Sequence, residues 1–205
     1  DNASSRGLGD VYKRQPLHIV VKGDQLLRPC GDFRLVNTVT TPSTYAVPNI
    51  KDFTARIAGS RLFSSIDLSK AYWQVPVGLT SIPKTAVITP FGTFLFKKMP
   101  FGLQNAGSTF QRVIDSVLSG LDNVFSYMDD ILCFSRTPEE HEKTVRLVLR
   151  RLREAGLVFN PEKSKLFCST IDFLGHNVSE SGVRPLVKNT AKLSSFATPT
   201  DFCPV

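Results

Sequence analysis

The amino-acid sequence predicts an α+β fold in which an antiparallel sheet is backed by helices on one face. Three observations lead there. Phe110, Val113, Ile114, Val117, Leu118 and Leu121 recur at helical spacing, the stripe of a helix laid on a core. Thr137-Pro138-Glu139-Glu140 combines an N-cap, a proline at the first helical position and a capping box, and so opens a second helix. Ahead of and between these helices, short apolar runs bounded by turn residues read as strands. A helix with one apolar stripe must lay it on another layer, and the strands supply one.

Composition sets the outer bounds. With 205 residues, 41% hydrophobic and 21% charged, the chain suits one or two globular domains with a real core. A formal charge of +7 favours an anionic partner such as nucleic acid, or a plain solvated basic surface. Cys30, Cys133, Cys168 and Cys203 form no C-x-x-C pair, so they are expected as reduced thiols inside a cell. No apolar run approaches the roughly 20 residues that span a bilayer, and the N-terminus shows no apolar signal segment, so no membrane partner is expected.

Asp1–Gln15 is polar and without hydrophobic period and reads as a disordered leader, its end similar to a translated cloning adaptor. Leu17–Lys22 and Leu26–Leu35 then read as a hairpin turning at Gly23-Asp24. Thr41–Pro48 is a proline-marked extended connection, and Pro48–Ile57 a short helix ending at Gly59. Leu62–Leu68 is a strand that ends on Asp67-Leu68. An acid there is placed equally well as a ligand-binding group or as a helix N-cap. Pro76–Lys98 holds short strands and turns. The long helix comes next, with Asn105 or Ser108 as its cap and Gly120 at its end.

That helix runs into Val124–Phe134, an apolar stretch interrupted by Asp129 and Asp130. The flanking runs form two arms of a hairpin with the acids at its tip. Two carboxylates in such a place need either a cation or a turn that keeps them wet. The helix opened by Thr137 buries Val145, Val148, Leu149 and Leu152, presents a basic solvated face and ends at Gly156. Asn160-Pro161 is read as a turn, Lys165–Cys168 with Ile171–Val178 as a second hairpin, and Leu186–Ala197 as a weak helix. Asp67 and Asp129-Asp130 can meet at the edge of adjacent strands. With no lysine or arginine between them, they would repel unless divalent ions such as Mg²⁺ or Mn²⁺ joined them. Two such ions suit phosphoryl transfer.

Four blocks in register, Asp67–Gln74, Met99–Ala106, Tyr127–Asp130 and Phe173–His176, resemble the reverse transcriptase of Ty3/gypsy-type LTR retrotransposons. The resemblance covers about Pro16 to Pro199. It implies the right-hand polymerase type: fingers and palm over 16–185, the fingers partial and β-rich, and the start of a thumb over 186–205. It further implies an RNA-directed DNA polymerase in a retroelement polyprotein, acting on dNTPs and a primed RNA or DNA template. An intracellular, cytoplasmic location in a virus-like particle goes with it. Asp67, Asp129 and Asp130 would be the catalytic, metal-binding carboxylates for two Mg²⁺ or Mn²⁺ ions. Tyr72 would sit beneath the incoming sugar and exclude a 2′-hydroxyl, and Lys70 and Ala71 would offer backbone N–H groups to the triphosphate. Arg28 and Lys22 would clamp phosphate. Phe101 and Gly102 would line the nucleotide pocket, Tyr127 and Met128 the primer end, and Gly175 and His176 a hairpin gripping the primer backbone. Where the family has Asn-Ala-Pro, this chain has Asn105-Ala106-Gly107, a change expected to loosen the start of the long helix. The competing expectations are an inactive nucleic-acid-binding remnant and an RNA-dependent RNA polymerase.

Overall fold

The computed structural model describes residues 15–21 and 27–186. The first hairpin joins β1 (Gln15–Val21) to β2 (Leu27–Gly31), paired antiparallel from Leu17↔Gly31 to Val21↔Leu27. β1 takes in Gln15, which is buried and whose N–H donates to Ala86 O at 2.7 Å. The second run is shorter than the sequence suggests. It stops at Gly31, and Arg34–Thr38 coils into α1 with Val36 turned inward. The leader before Gln15, the turn at Gly23-Asp24 and the helix expected beyond Leu186 lie outside the described residues.

Two more short strands, β4 (Val87–Thr89) and β5 (Gly92–Phe94), complete a sheet of order β2-β1-β4-β5, with β1 and β4 parallel. Its small core is Phe33, Val36 and Val87.

The larger sheet has the order β6-β7-β3-β8, antiparallel throughout. It comprises β3 (Leu62–Leu68), β6 (Val124–Tyr127), β7 (Asp130–Ser135) and β8 (Phe159–Cys168). Because strand side chains alternate between faces, Ile66, Leu68, Ile131 and Cys133 point to one side and Phe63, Phe125, Leu132 and Phe134 to the other. The first side receives the two helices the sequence predicts, the longer helices α3 (Ala106–Val117) and α4 (Pro138–Glu154). They bury Phe110, Ile114, Leu118, Val145, Val148 and Leu152 there. The second side is covered at one end by α2 (Ile50–Arg56) through Phe53. A three-stranded sheet adds Ile171, Phe173 and Val178 to that cover.

The capping signals hold in part. The Thr137 hydroxyl accepts from the Glu140 N–H, and the Glu140 carboxylate accepts from Arg136 N and Asn123 Nδ2, which anchors the start of α4 to the segment before β6. Asn105 occupies the N-cap of α3, yet neither it nor Ser108 caps the helix with its side chain. Asn105 instead accepts from Ser43 N and donates to Thr41 O, pinning the extended connection against the helix.

The C-terminal pairing differs from the expected one. Asn160-Pro161 does not turn the chain but lies inside β8, at the outer edge of the sheet, where a residue without an N–H costs no ladder bond. β8 pairs with β3, not with Ile171–Val178. That second segment folds on itself as β9 (Thr170–Phe173) and β10 (His176–Ser179), to which β11 (Gly182–Pro185) adds a third strand.

Candidate active site

β3 and β7 place Asp67 directly opposite Asp130. Both project from the sheet face away from α3 and α4, as does Tyr127, the neighbour of Asp130 across the hairpin. Asp129 sits in the turn, and its carbonyl accepts from Leu68 N at 2.9 Å, which ties the tip of the β6–β7 hairpin to the end of β3. Burial pushes the Asp130 carboxyl up to about 6, and the negative charges of Asp129 and Asp67 push in the same direction.

The expectation that no base lies among these acids is corrected. Lys163 on β8 brings its Nζ within 4.0 Å of Asp67 Oδ1. Beside it, the Ser164 hydroxyl accepts from Asp67 N (3.1 Å) and donates to Asn160 O (2.6 Å), fixing the backbone that carries Asp67. The three carboxylates share an edge without closing into a ready ligand cluster among the described residues. The donor set is all carboxylate oxygen, and the mutual repulsion of the acids that raises the Asp130 pKa is only partly offset by Lys163. Both properties fit a hard divalent cation.

Behind the acids, Lys70 takes a left-handed turn (φ +49°) that follows β3 and starts a short 3₁₀ turn, Ala71–Gln74. The chain thus leaves Asp67 through this short turn and not through an α-helix capped by the acid. The turn buries Ala71, leaves Lys70 exposed and directs Tyr72 toward the hairpin. The Tyr72 ring is half-buried, 5.2 Å from Phe101 and 5.7 Å from Phe110 between ring centres. Its hydroxyl reaches Met128 Sδ at 3.6 Å. Burial, with Asp129 nearby, raises the phenol's pKa, so it stays a neutral donor. Gly102 adopts φ +92°, and its carbonyl accepts from Asn37 Nδ2 at 2.8 Å.

Asp67, Asp129, Asp130, Tyr72, Phe101, Tyr127 and Met128 thus surround one end of the larger sheet. Gly175 and His176 lie at the β9–β10 turn of the three-stranded sheet, where His176 Nδ1 lies 3.0 Å from Leu174 O. Arg28 is placed on β2 opposite Val20. Lys22 lies outside the described residues.

Sequence reasoning missed Lys163, Ser164 and Gln111. Gln111 is fully buried next to Phe110 on α3, and its carbonyl accepts from Met128 N at 2.7 Å. The signal available for it was the i, i+4 polar pair Gln111–Asp115 along the apolar stripe.

Carboxylates presented from adjacent antiparallel strands, with a tyrosine beside them and two helices behind the sheet, define the palm of a right-hand polymerase. The chain belongs to the reverse transcriptase (RNA-dependent DNA polymerase) family, whose model matches residues 20–178. It is 37% identical over 192 residues to the Retrovirus-related Pol polyprotein from transposon opus of Drosophila melanogaster, covering 90% of this chain and 19% of that polyprotein. To the Transposon Tf2-3 polyprotein of Schizosaccharomyces pombe it is 34% identical over 186 residues, covering 90% of this chain and 14% of the polyprotein. These relatives are of the Ty3/gypsy type. Among solved structures, the foamy viral protease-reverse transcriptase in complex with double-stranded DNA superposes with a TM-score of 0.83 at 25% identity, over 91% of this chain and 33% of that one. The same viral protein in complex with RNA/DNA hybrid gives 0.80 at 25% identity, over 91% and 25%. The chain therefore spans less than a fifth of the curated polyproteins it matches. Within the described residues no helix is long and apolar enough to cross a membrane.

Proposed function

We propose that this chain is the polymerase part of a retroelement Pol polyprotein, an RNA-directed DNA polymerase that adds dNTPs to a primer 3′ end on an RNA or DNA template. The observation that carries the reading is the register of Asp67 against Asp130, with Asp129 tied to the end of β3 beside them. On this reading 16–185 forms partial fingers and palm, with Gln15 opening the first strand, and 186–205 begins a thumb. The setting is an intracellular, cytoplasmic particle, alongside the other regions of the polyprotein.

Asp67 and Asp129 would hold two Mg²⁺ or Mn²⁺ ions, with Asp130 at the margin. Such ions, when bound, supply activation of the primer 3′-oxygen and neutralisation of the departing pyrophosphate. The chain's own groups do the positioning. Tyr72, braced by Phe101 and Phe110, closes the space a ribose 2′-hydroxyl needs. Lys70 and Ala71 turn their backbone toward the triphosphate, and Arg28 and Lys22 offer it positive charge. Phe101 and Gly102 border the base and sugar. Tyr127 and Met128 support the primer end, and Gly175 and His176 hold its backbone.

The test is primer extension by the full 205-residue chain on a primed RNA template with dNTPs and Mg²⁺ or Mn²⁺. Incorporation is expected, with loss on chelation and in Asp129→Asn. RNA binding without any incorporation would leave a binding-only remnant as the correct description. Incorporation that survives Asp129→Asn would overturn the site assignment.

A further inference from the structure

Met128 occupies the tightest point of the β6–β7 hairpin and adopts φ +52°, a left-handed conformation that an unbranched L-residue enters only when its surroundings hold it there. What holds it is a side chain from the helix behind. Gln111 Oε1 accepts from Met128 N at 2.7 Å, while Gln111 Nε2 donates to Asp115 Oδ1 at 2.9 Å, to Ser126 O at 3.1 Å and to Ser126 Oγ at 3.3 Å. The acceptors on the Nε2 side fix which way the amide faces. Turned over, it would set an NH₂ against the Met128 N–H and an oxygen against the Asp115 carboxylate.

The Asp115 carboxylate is itself held. It accepts from Ser126 Oγ at 2.9 Å through Oδ1 and from the Tyr45 hydroxyl at 2.6 Å through Oδ2. Tyr45 belongs to the extended connection that Asn105 pins against α3. A continuous run of hydrogen bonds therefore leads from that connection, through the flank of α3, to the backbone N–H immediately before Asp129. Gln111 is 0% exposed, so water cannot replace it.

We infer that Gln111 is a positioning residue for the polymerase reaction: its amide locks Met128 in the left-handed turn that aims the Asp129 carboxylate. This rests on the polymerase reading above. A glutamine is required because the site needs an acceptor at one corner of a planar group and a donor at the other. Glutamate lacks the donor, and methionine, of similar length and bulk, lacks both.

The test compares wild type with Gln111→Met in the full chain, by hydrogen exchange at the Met128 amide and by steady-state dNTP incorporation. Expected are exchange accelerated by about tenfold or more and kcat lowered by about 10- to 100-fold, because a misplacement near 1 Å costs about that much. The KM for dNTP should stay within about threefold, since the groups contacting the nucleotide are untouched. A general loss of packing would move both parameters and exchange throughout the chain, and would overturn the inference. So would unchanged kcat, with or without faster exchange at Met128. Should Gln111→Met fail to fold, Asp115→Ala, on the half-buried flank of α3, removes one of the three acceptors that hold Gln111 Nε2 and should give the same changes at smaller size, read by the same criteria. If the wild-type chain extends no primer, the polymerase reading fails, while Met128 exchange still decides whether Gln111 locks the turn.

Discussion

The Ser64 hydroxyl lies 2.6 Å from Nε2 of His141, a contact wholly buried between β3 and α4. Ser64 Oγ also accepts from Phe167 N at 3.0 Å, and on the other side of the ring Nδ1 of His141 lies 3.2 Å from Ser135 Oγ. Burial depresses the imidazole pKa below its ordinary value near 6.5. The folded chain therefore favours the neutral ring, and the unfolded chain takes up the proton first. Stability from this contact is complete above about pH 6.5 and is lost as pH falls through the lower folded value. Melting temperature measured from pH 8 to pH 5 should show it: the wild type should drop toward acid more steeply than His141→Gln. Parallel curves would refute this assignment.

Tyr72 offers a cleaner separation of ring from hydroxyl. Its ring contacts Phe101 and Phe110, and its hydroxyl contacts only the Met128 sulfur among the hydrogen bonds of the described residues. Tyr72→Ala should raise ribonucleotide relative to deoxynucleotide incorporation by about 10- to 100-fold in kcat/KM. Tyr72→Phe should keep the wild-type preference. Unchanged sugar selectivity in Tyr72→Ala would remove the tyrosine from that role.

Gly107 stands in the first turn of α3, where an added Cβ would lie 3.3 Å from Met128 Cε and 3.6 Å from the Tyr72 hydroxyl. Met128 Cε is the end of a flexible side chain and can give way, whereas the helix gains about 1 kcal/mol from replacing glycine by alanine. Gly107→Ala should raise the melting temperature by about 2–4 °C. A fall would show that Met128 is held too firmly to move.

Lys163 is mostly exposed and only 4.0 Å from Asp67, so the pair adds little to stability. Lys163→Ala should change it by less than about 0.5 kcal/mol in chemical denaturation. Removing the cation should strengthen the attraction of the acids for a divalent ion. Calorimetric titration with Mn²⁺ should show severalfold tighter binding. Weaker Mn²⁺ binding would mean that Lys163 supports the site instead of competing for it.

The elements the sequence announced correctly are those with local signals. α3 and α4 carry continuous stripes, α4 has a complete N-terminal signature, and β6 and β7 are apolar arms around one turn. Asp67, Asp129 and Asp130 were legible because charge inside apolar runs stands out. What stayed hidden depends on partners distant in the chain. Lys165–Cys168 and Ile171–Val178 could be seen as extended, but nothing local told β8 to seek β3, and Pro161 resembled a turn because its edge position was unknown. Phe33 and Val36 needed a helical turn to reach Val87, so the run after Gly31 coiled instead of extending. Gln111 and Lys163 looked like ordinary polar residues until the fold brought them to Met128 and Asp67.

β3 lies between β7 and β8, with Phe63 paired to Phe134 on one side and to Cys168 on the other. A ribosome making this chain releases Leu62–Leu68 long before either neighbour exists. Through that interval an apolar strand is open on both edges, free to recruit chaperones or to pair wrongly. Such distant pairing also makes folding slow. The cluster of acids comes into being late in translation: Asp67 reaches the nascent chain early, but the strand that carries it is sealed only once synthesis has passed Cys168.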